Sequence, residues 1–177
     1  DYCDSDSLFY FPDDRFEAYL EGENFNNDDY VIAHYTKDIT NLGTVDDIWT
    51  GGEYLNFASA EQRGIGVEDF TGVENLKNLE EINLRMDSAN TLDLSMNNKL
   101  LKVRIYSYGY PEPDLKSITF PDNNDIQILN LYSAISDFEL QKFNNLQKLS
   151  IGGNAQVNSL DLDNLTSLTF LQVNFFE

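Results

Sequence analysis

The sequence predicts an α/β-type repeat solenoid of about six coils, with a parallel β-sheet on its concave face and a short helical cap at its N-terminus. Five segments share one spacing, in which an apolar residue is followed by a second three positions later and a third two positions after that. A second apolar pair recurs in phase with this pattern in four segments, and asparagine-containing turns precede most of them. A period of about 20–26 residues is typical of stacked coils. The segments begin at Leu79, Leu100, Ile126, Leu146 and Leu168.

Residues 1–52 lack the repeat and are predicted to form a helical cap over the first coil, while residues 53–177 form the repeat domain. A cap is expected because a terminal coil cannot leave its core open to water. A proline–aspartate pair favours the start of a helix, and apolar residues follow at helical spacing. The residues concerned are Pro12 and Asp13 at the start and Phe16, Tyr19 and Leu20 on one apolar face.

The coils differ in regularity. The first is the weakest and is predicted around Leu55 and Phe57. The coil of 26 residues carries its excess around residues 108–113, where two prolines indicate a bulging loop rather than a central strand.

The inner strand positions are predicted to form one continuous core, which consists of Ile82, Leu84, Val103, Ile105, Leu129, Leu131, Leu149, Ile151, Leu171 and Val173.

The units of 20 to 22 residues resemble leucine-rich repeats, in particular the short repeats of secreted bacterial proteins related to internalins. Residues 91–95 and 159–162 resemble the S-L-D-L-S element of that group, and residues 11–20 resemble a helical segment that precedes the repeats in some members. The chain departs from the family at the ninth repeat position, where Asn154 alone among the five units keeps the usual asparagine. The resemblance implies a binding protein that is secreted or displayed on the bacterial surface.

The segment at residues 25–32 lies where some of these proteins carry an EF-hand-like calcium loop. When Ile32 is aligned with the loop's apolar position, Asn26, Asp28 and Asp29 stand near ligand positions. The loop is one residue short and lacks both the glycine of the sharp turn and the bidentate glutamate. We therefore expect no tightly bound metal ion there.

The composition argues against several classes of partner and of functional site. The chain has 11 Lys and Arg against 31 Asp and Glu, which gives a net charge of −20 and argues against nucleic acid or an anionic membrane as partner. It contains no apolar run long enough to span a bilayer. One cysteine and one histidine argue against a zinc site or a disulfide scaffold. The single histidine, His34, could act in a catalytic triad only with a nucleophilic serine, and no serine stands in a G-x-S-x-G context. We therefore expect no enzyme, no catalytic residue and no cofactor.

Cys3 is followed by an acidic stretch that resembles the region after a bacterial lipoprotein cysteine. Asp1 and Tyr2, however, are not the small residues that should precede such a cysteine. A lipid anchor and an ordinary thiol are both compatible with the segment, and we favour the thiol.

A binding face is predicted from strand alternation. Side chains that flank the inner apolar positions should point outward on the concave face. Across six coils these 18 positions hold four of the bases but one of the acids, whereas acids lie between the second apolar pairs, as at Asp93, Glu139 and Asp161. The predicted binding residues are Arg85, Lys102, Arg104, Tyr106, Asn130, Tyr132 and Lys148.

The predicted function is non-catalytic recognition of a protein, or of a glycan, with acidic character. The protein is expected to be a monomer, secreted or surface-displayed. The alternatives are a small β-solenoid carbohydrate-active enzyme and a purely structural spacer. The enzyme is disfavoured because acids and bases are predicted on opposite faces instead of together in one groove.

Overall fold

The computed structural model describes residues 8–13, 16, 17, 20, 30–32, 41, 42, 69–85, 89–106, 115–122, 125–133, 135, 140–153 and 160–175. In chain order its strands are β1 (Leu8–Tyr10), β2 (Tyr30–Ile32), β3 (Asn41–Leu42), β4 (Glu81–Arg85), β5 (Thr91–Asp93), β6 (Lys102–Tyr106), β7 (Ser117–Thr119), β8 (Ile128–Tyr132), β9 (Lys148–Gly153) and β10 (Phe170–Phe175). Six of them form one parallel sheet in the order β10-β9-β8-β6-β4-β3.

The repeat period sets the register of this main sheet. Strands β4, β6, β8, β9 and β10 each begin two residues after the first apolar residue of their repeat. Equivalent residues are therefore paired, so that Ile82 lies beside Val103, Val103 beside Leu129 and Leu129 beside Leu149. The predicted parallel β-solenoid is confirmed.

The inner strand positions form the core as far as β9. Alternation along β6 and β8 buries the second and fourth residues and leaves the others half-buried. Eight of the ten predicted core side chains are at most 2% exposed. The prediction is wrong for Leu171 and Val173, which are 43% and 38% exposed. Their register is correct, but β10 is an edge strand that pairs with β9 in the described part of the chain.

In four of the repeats, the described residues before the main strand form a pair of short backbone hydrogen bonds. The N–H of Leu76 donates to the carbonyl of Val73, and the N–H of Leu79 donates to that of Leu76. The same pair recurs around Asn97, Phe143 and Leu165, each three residues before the first apolar residue of its repeat. Short 3-10 turns at Val73–Asn75 and Leu140–Lys142 belong to the same part of the coil.

Asn97 is a polar residue in this otherwise apolar column of turn positions. Its side chain is fully buried, and Nδ2 donates to the carbonyls of Val73 and Leu76 at 2.9 and 3.0 Å. The residue therefore ties its own coil to the preceding one. The sequence predicted only a turn from the asparagines before each repeat, and the inward direction of Asn97 is a finding of the structure.

The second apolar pairs form a smaller structure on the other side of the coils. Strands β5 and β7 pair in parallel, with Leu92 beside Ile118. The intervening acids Asp93 and Asp161 are exposed, and each accepts a hydrogen bond from the backbone N–H two residues later. The acids of the S-L-D-L elements thus close local turns at the surface.

The N-terminal segment is more than a helical cap. Phe16, Glu17 and Leu20 are helical, and Asp13 caps them because its Oδ1 accepts the N–H of Phe16. Little other α-helix occurs in the described residues, and β1 pairs with β2 in an antiparallel sheet that the sequence did not predict. The description of residues 1–52 as helical is therefore not confirmed.

The residues around Asp13 and Phe16 attach this segment to the solenoid. Asp13 Oδ2 accepts the N–H of Asp69 at 3.2 Å, and the rings of Phe11, Phe16 and Phe70 are in successive contact at 5.3 Å. Gly72 has φ of 103°, and a Cβ there would lie 2.3 Å from the Phe11 ring. The N-terminal residues thus pack directly on the start of the repeats.

The count of six coils is not confirmed. The sixth strand of the main sheet is β3, from within residues 1–52, and it pairs with the start of β4. The first coil predicted around Leu55, the loop at residues 108–113, and the residues Cys3, His34 and Asn26–Asp29 lie outside the described residues. Within the described part, no helix has the length and apolar character needed to cross a membrane.

Candidate recognition face

The candidate site is the side of the main sheet that faces away from the core, which we call the open face. The first, third and fifth residues of each strand lie on it, and the parallel register aligns them into three columns. Column one contains Glu81, Lys102, Ile128, Lys148 and Phe170; column three contains Asn83, Arg104, Asn130, Ser150 and Gln172; column five contains Arg85, Tyr106, Tyr132, Gly152 and Asn174.

Glu81 neutralises part of the predicted basic surface. Its Oε2 lies 2.9 Å from Lys102 Nζ, and its Oε1 accepts a hydrogen bond from the guanidinium of Arg104. Partial burial favours the neutral acid, but the hydrogen bonds and charges of Lys102 and Arg104 outweigh it and hold the pKa of Glu81 below its ordinary value of 4.5. Two of the predicted binding cations are therefore engaged within the protein.

Two tyrosines form a stacked pair on column five. The ring centroids of Tyr106 and Tyr132 are 5.4 Å apart and the planes differ by 15°. Burial raises the pKa of Tyr106 above its ordinary value of 10.0, against the opposing effects of the neighbouring Asn130 amide and of the charge on Arg104.

Gly152 makes room for the second tyrosine. A Cβ at this position would lie 2.5 Å from Tyr132 Cε1 and 2.8 Å from the carbonyl oxygen of Asn174. The Tyr132 ring therefore extends over the backbone of β9, in the space that a side chain on residue 152 would occupy. This contact explains why glycine stands in a column of larger residues.

Exposure varies among the residues of the open face. Asn83 and Ser150 are 5% and 6% exposed, and the side chain of Arg104 is 21% exposed. In column one, by contrast, Lys148 is exposed and Phe170 is 47% exposed. Within the described residues Lys148 forms no ion pair, unlike Lys102 and Arg104. The C-terminal half of the open face is thus the more accessible half.

The structure brings the predicted binding residues together on one face. Lys102, Arg104, Tyr106, Asn130, Tyr132 and Lys148 all belong to the three columns, and the backbone of Arg85 occupies the corresponding position on β4. Sequence reasoning missed the pairing of Glu81 with two cations, and it placed Phe170 among the outward positions without including it in the predicted binding residues. The alignment contained a signal for the first, since Glu81 and Lys102 hold equivalent positions in consecutive repeats.

The described residues contain no group of three or more His, Cys, Asp or Glu side chains that could hold a metal ion.

Seven chains of known structure are similar to this protein, among them a domain from Listeria monocytogenes. No family model matches the chain, and no curated protein matches it. The functional domain of InlJ from Listeria monocytogenes, described as including a cysteine ladder, is 20% identical, with a TM-score of 0.48 over 95% of this chain. This chain spans 39% of the length of that structure. The assignment to the parallel β-solenoids depends on the strands and register described above.

Proposed function

We propose that this chain is a non-catalytic recognition module of the leucine-rich repeat type that binds another protein through its open face. The observation that carries the proposal is a contrast of charge. The described side chains of the open face include three cations and one acid, together with a tyrosine pair and an exposed phenylalanine, in a molecule of net charge −20. Aromatic and basic side chains are the types that most often contribute binding energy in protein interfaces.

The dimensions of the open face suit a segment of polypeptide. Parallel strands lie ~4.8 Å apart, so the five strands from β4 to β10 span ~19 Å. An extended chain covers ~3.3 Å per residue, so about six residues would cross the whole face. A secreted or surface-displayed bacterial protein is the setting that the sequence resemblance suggests for such a module.

Glycan binding is the second candidate. The stacked Tyr106 and Tyr132 rings and the amides of Asn130 and Gln172 combine apolar faces with planar hydrogen-bonding groups, as small-ligand sites commonly do. A carbohydrate-active enzyme, in contrast, would generally need two carboxyl groups acting together. Among the described residues of the open face the carboxylate is Glu81, and both of its oxygens bind cations.

The proposal is tested by selection against two kinds of probe. Purified protein is used to select from a displayed library of random decapeptides and is also applied to a glycan array. A variant carrying Gln172→Glu and Asn174→Glu blocks exposed positions of the open face and repels an acidic partner. Thr91→Glu with Thr119→Glu is the matched control, because it adds the same groups at exposed strand positions on the other side of the coils.

We expect the selected peptides to bind the open-face variant at least about tenfold more weakly than wild type, a loss typical of an altered interface centre. The control variant should bind as wild type does. Peptides that bind both variants equally would contradict the proposal. Enrichment of glycans with no peptide selected would favour the second candidate, and failure to select either would favour a structural spacer.

A further inference from the structure

The ion pairs of Glu81 with Lys102 and Arg104 change where on the open face an acidic partner can be bound. Lys102 and Arg104 share the carboxylate of Glu81, so a ligand that used them would first have to displace an intramolecular carboxylate. Lys148 is exposed and forms no ion pair within the described residues. A carboxylate supplied by a partner therefore meets the least internal competition at Lys148.

The neighbours of Lys148 in column one are apolar. Ile128 precedes it and Phe170 follows it in the parallel register. Ile128 is half-buried and Phe170 is 47% exposed, so the cation stands between two hydrocarbon surfaces at a spacing of ~4.8 Å on each side. A bound partner would cover these apolar side chains and exclude water from around Lys148. An ion pair formed there is stronger because less water screens it.

The adjacent middle column supplies polar groups. Ser150 lies two residues after Lys148 on β9 and is 6% exposed. Asn130 on β8 and Gln172 on β10 lie beside Ser150 in the parallel register. Amide and hydroxyl side chains can donate hydrogen bonds to the backbone carbonyls of a peptide and accept hydrogen bonds from its backbone N–H groups. A segment lying along column one would thus have hydrogen-bonding partners for its backbone on one side.

We propose that the C-terminal half of the open face binds an extended peptide segment in which an acidic residue is flanked by apolar residues. The peptide carboxylate pairs with Nζ of Lys148, and the apolar side chains pack on Ile128 and Phe170. The inference rests on the proposed function, because it specifies the partner and the position of the same recognition face. It differs from a general attraction to acidic proteins in requiring one cation and its apolar neighbours.

The test uses decapeptides selected from the random library as fluorescent probes, with binding followed by anisotropy. Lys148→Met removes the charge but keeps an unbranched apolar side chain, and Phe170→Ala removes the ring. Lys116→Met is the matched control, because Lys116 is exposed and lies outside the open face. Each probe is also made with its acidic residue replaced by the corresponding amide. Since Lys148 and Phe170 are exposed, the variants should melt close to wild type.

We expect the selected peptides to share an acidic residue beside apolar ones. Lys148→Met and Phe170→Ala should each weaken binding about tenfold, and Lys116→Met should leave it unchanged. The amide peptide should bind wild type more weakly than the acidic peptide does. The two peptides should bind Lys148→Met almost equally, because their difference depends on direct contact between the peptide carboxylate and Lys148, and this double-mutant cycle measures that contact. Equal loss from the amide peptide in both proteins would overturn the inference.

Two other results would also overturn it. If the Gln172→Glu and Asn174→Glu variant loses binding while Lys148→Met and Phe170→Ala do not, the proposed function stands and this inference fails. If no variant of the open face changes binding, or no decapeptide is selected, the inference fails together with the proposed peptide-binding function.

Discussion

At the scale of single residues, charge on the open face is decided by which side chains reach one another. Glu81 was one acid among 18 predicted outward positions, and counting residues gave it little weight. In the structure its two oxygens hold Lys102 and Arg104, so that one carboxylate removes much of the expected basic character. Strand alternation predicted that these residues share one face, but the residue count overestimated the positive charge that a ligand would meet.

The Glu81 network should contribute to stability in a pH-dependent way. The folded-state pKa of Glu81 lies below its ordinary value of 4.5, so its contribution is fully present above that value and is lost as the pH falls through the folded pKa. We expect Glu81→Gln to reduce the free energy of unfolding at pH 7 by ~1–2 kcal/mol, since the pairs involved are charge-assisted but partly exposed. The difference from wild type should shrink below about pH 4.5.

Urea denaturation at several pH values measures this difference. Glu80→Gln is the matched control, because it removes the same charge from the exposed neighbouring side chain. A Glu81→Gln variant with wild-type stability at pH 7, or a deficit that persists unchanged in acid, would contradict the proposed contribution of the network.

At the scale of elements, one of the turns that precede the main strands connects consecutive coils. The repeated pair of turn hydrogen bonds places Leu76, Asn97, Phe143 and Leu165 in equivalent positions, all of them buried. Asn97 is the polar member and binds two carbonyls of the preceding coil. Its sequence neighbour Asn98 is exposed. Composition could not distinguish these two asparagines, because both belong to a turn and only the fold points one of them inward.

We expect Asn97→Asp to destabilise the protein by ~3 kcal/mol or more, because it removes the donor to Val73 and Leu76 and buries a charge beside their carbonyls. Asn98→Asp makes the same chemical change at an exposed site and should alter stability by no more than about 0.5 kcal/mol. Thermal and urea unfolding of the pair measure both effects. Equal stability of the two variants would show that the contacts of Asn97 are not important.

At the scale of the whole molecule, burial falls from the middle of the solenoid to its described C-terminal strand. Leu129 and Leu171 occupy the same column and are the same residue type, but they are 0% and 43% exposed. Core residues gain stability mainly from the apolar area that neighbours on both sides cover. The repeat pattern therefore predicts the position of a residue within its coil, but it does not predict how completely that coil is covered.

This gradient should be visible in matched substitutions. We expect Leu129→Ala to cost ~2–5 kcal/mol of unfolding free energy, as deletions in a packed core do. Leu171→Ala should cost ~1 kcal/mol or less, because much of that side chain is already in contact with water. Urea denaturation of the two variants measures the ratio, and similar losses would mean that Leu171 is buried in solution.

By itself, the sequence determined the parallel coils, the residues that face the core and the membership of the open face. These features follow from two short-range regularities, the alternation along a strand and the spacing of about 20 residues between strands, so they can be counted without knowing any contact. The pairing of Glu81, the position of Tyr132 over Gly152, the exposure of Leu171 and the addition of β3 to the sheet were decided by the tertiary structure alone. Each depends on what occupies the neighbouring coil or the edge of the sheet, and such contacts join residues that are distant in the chain.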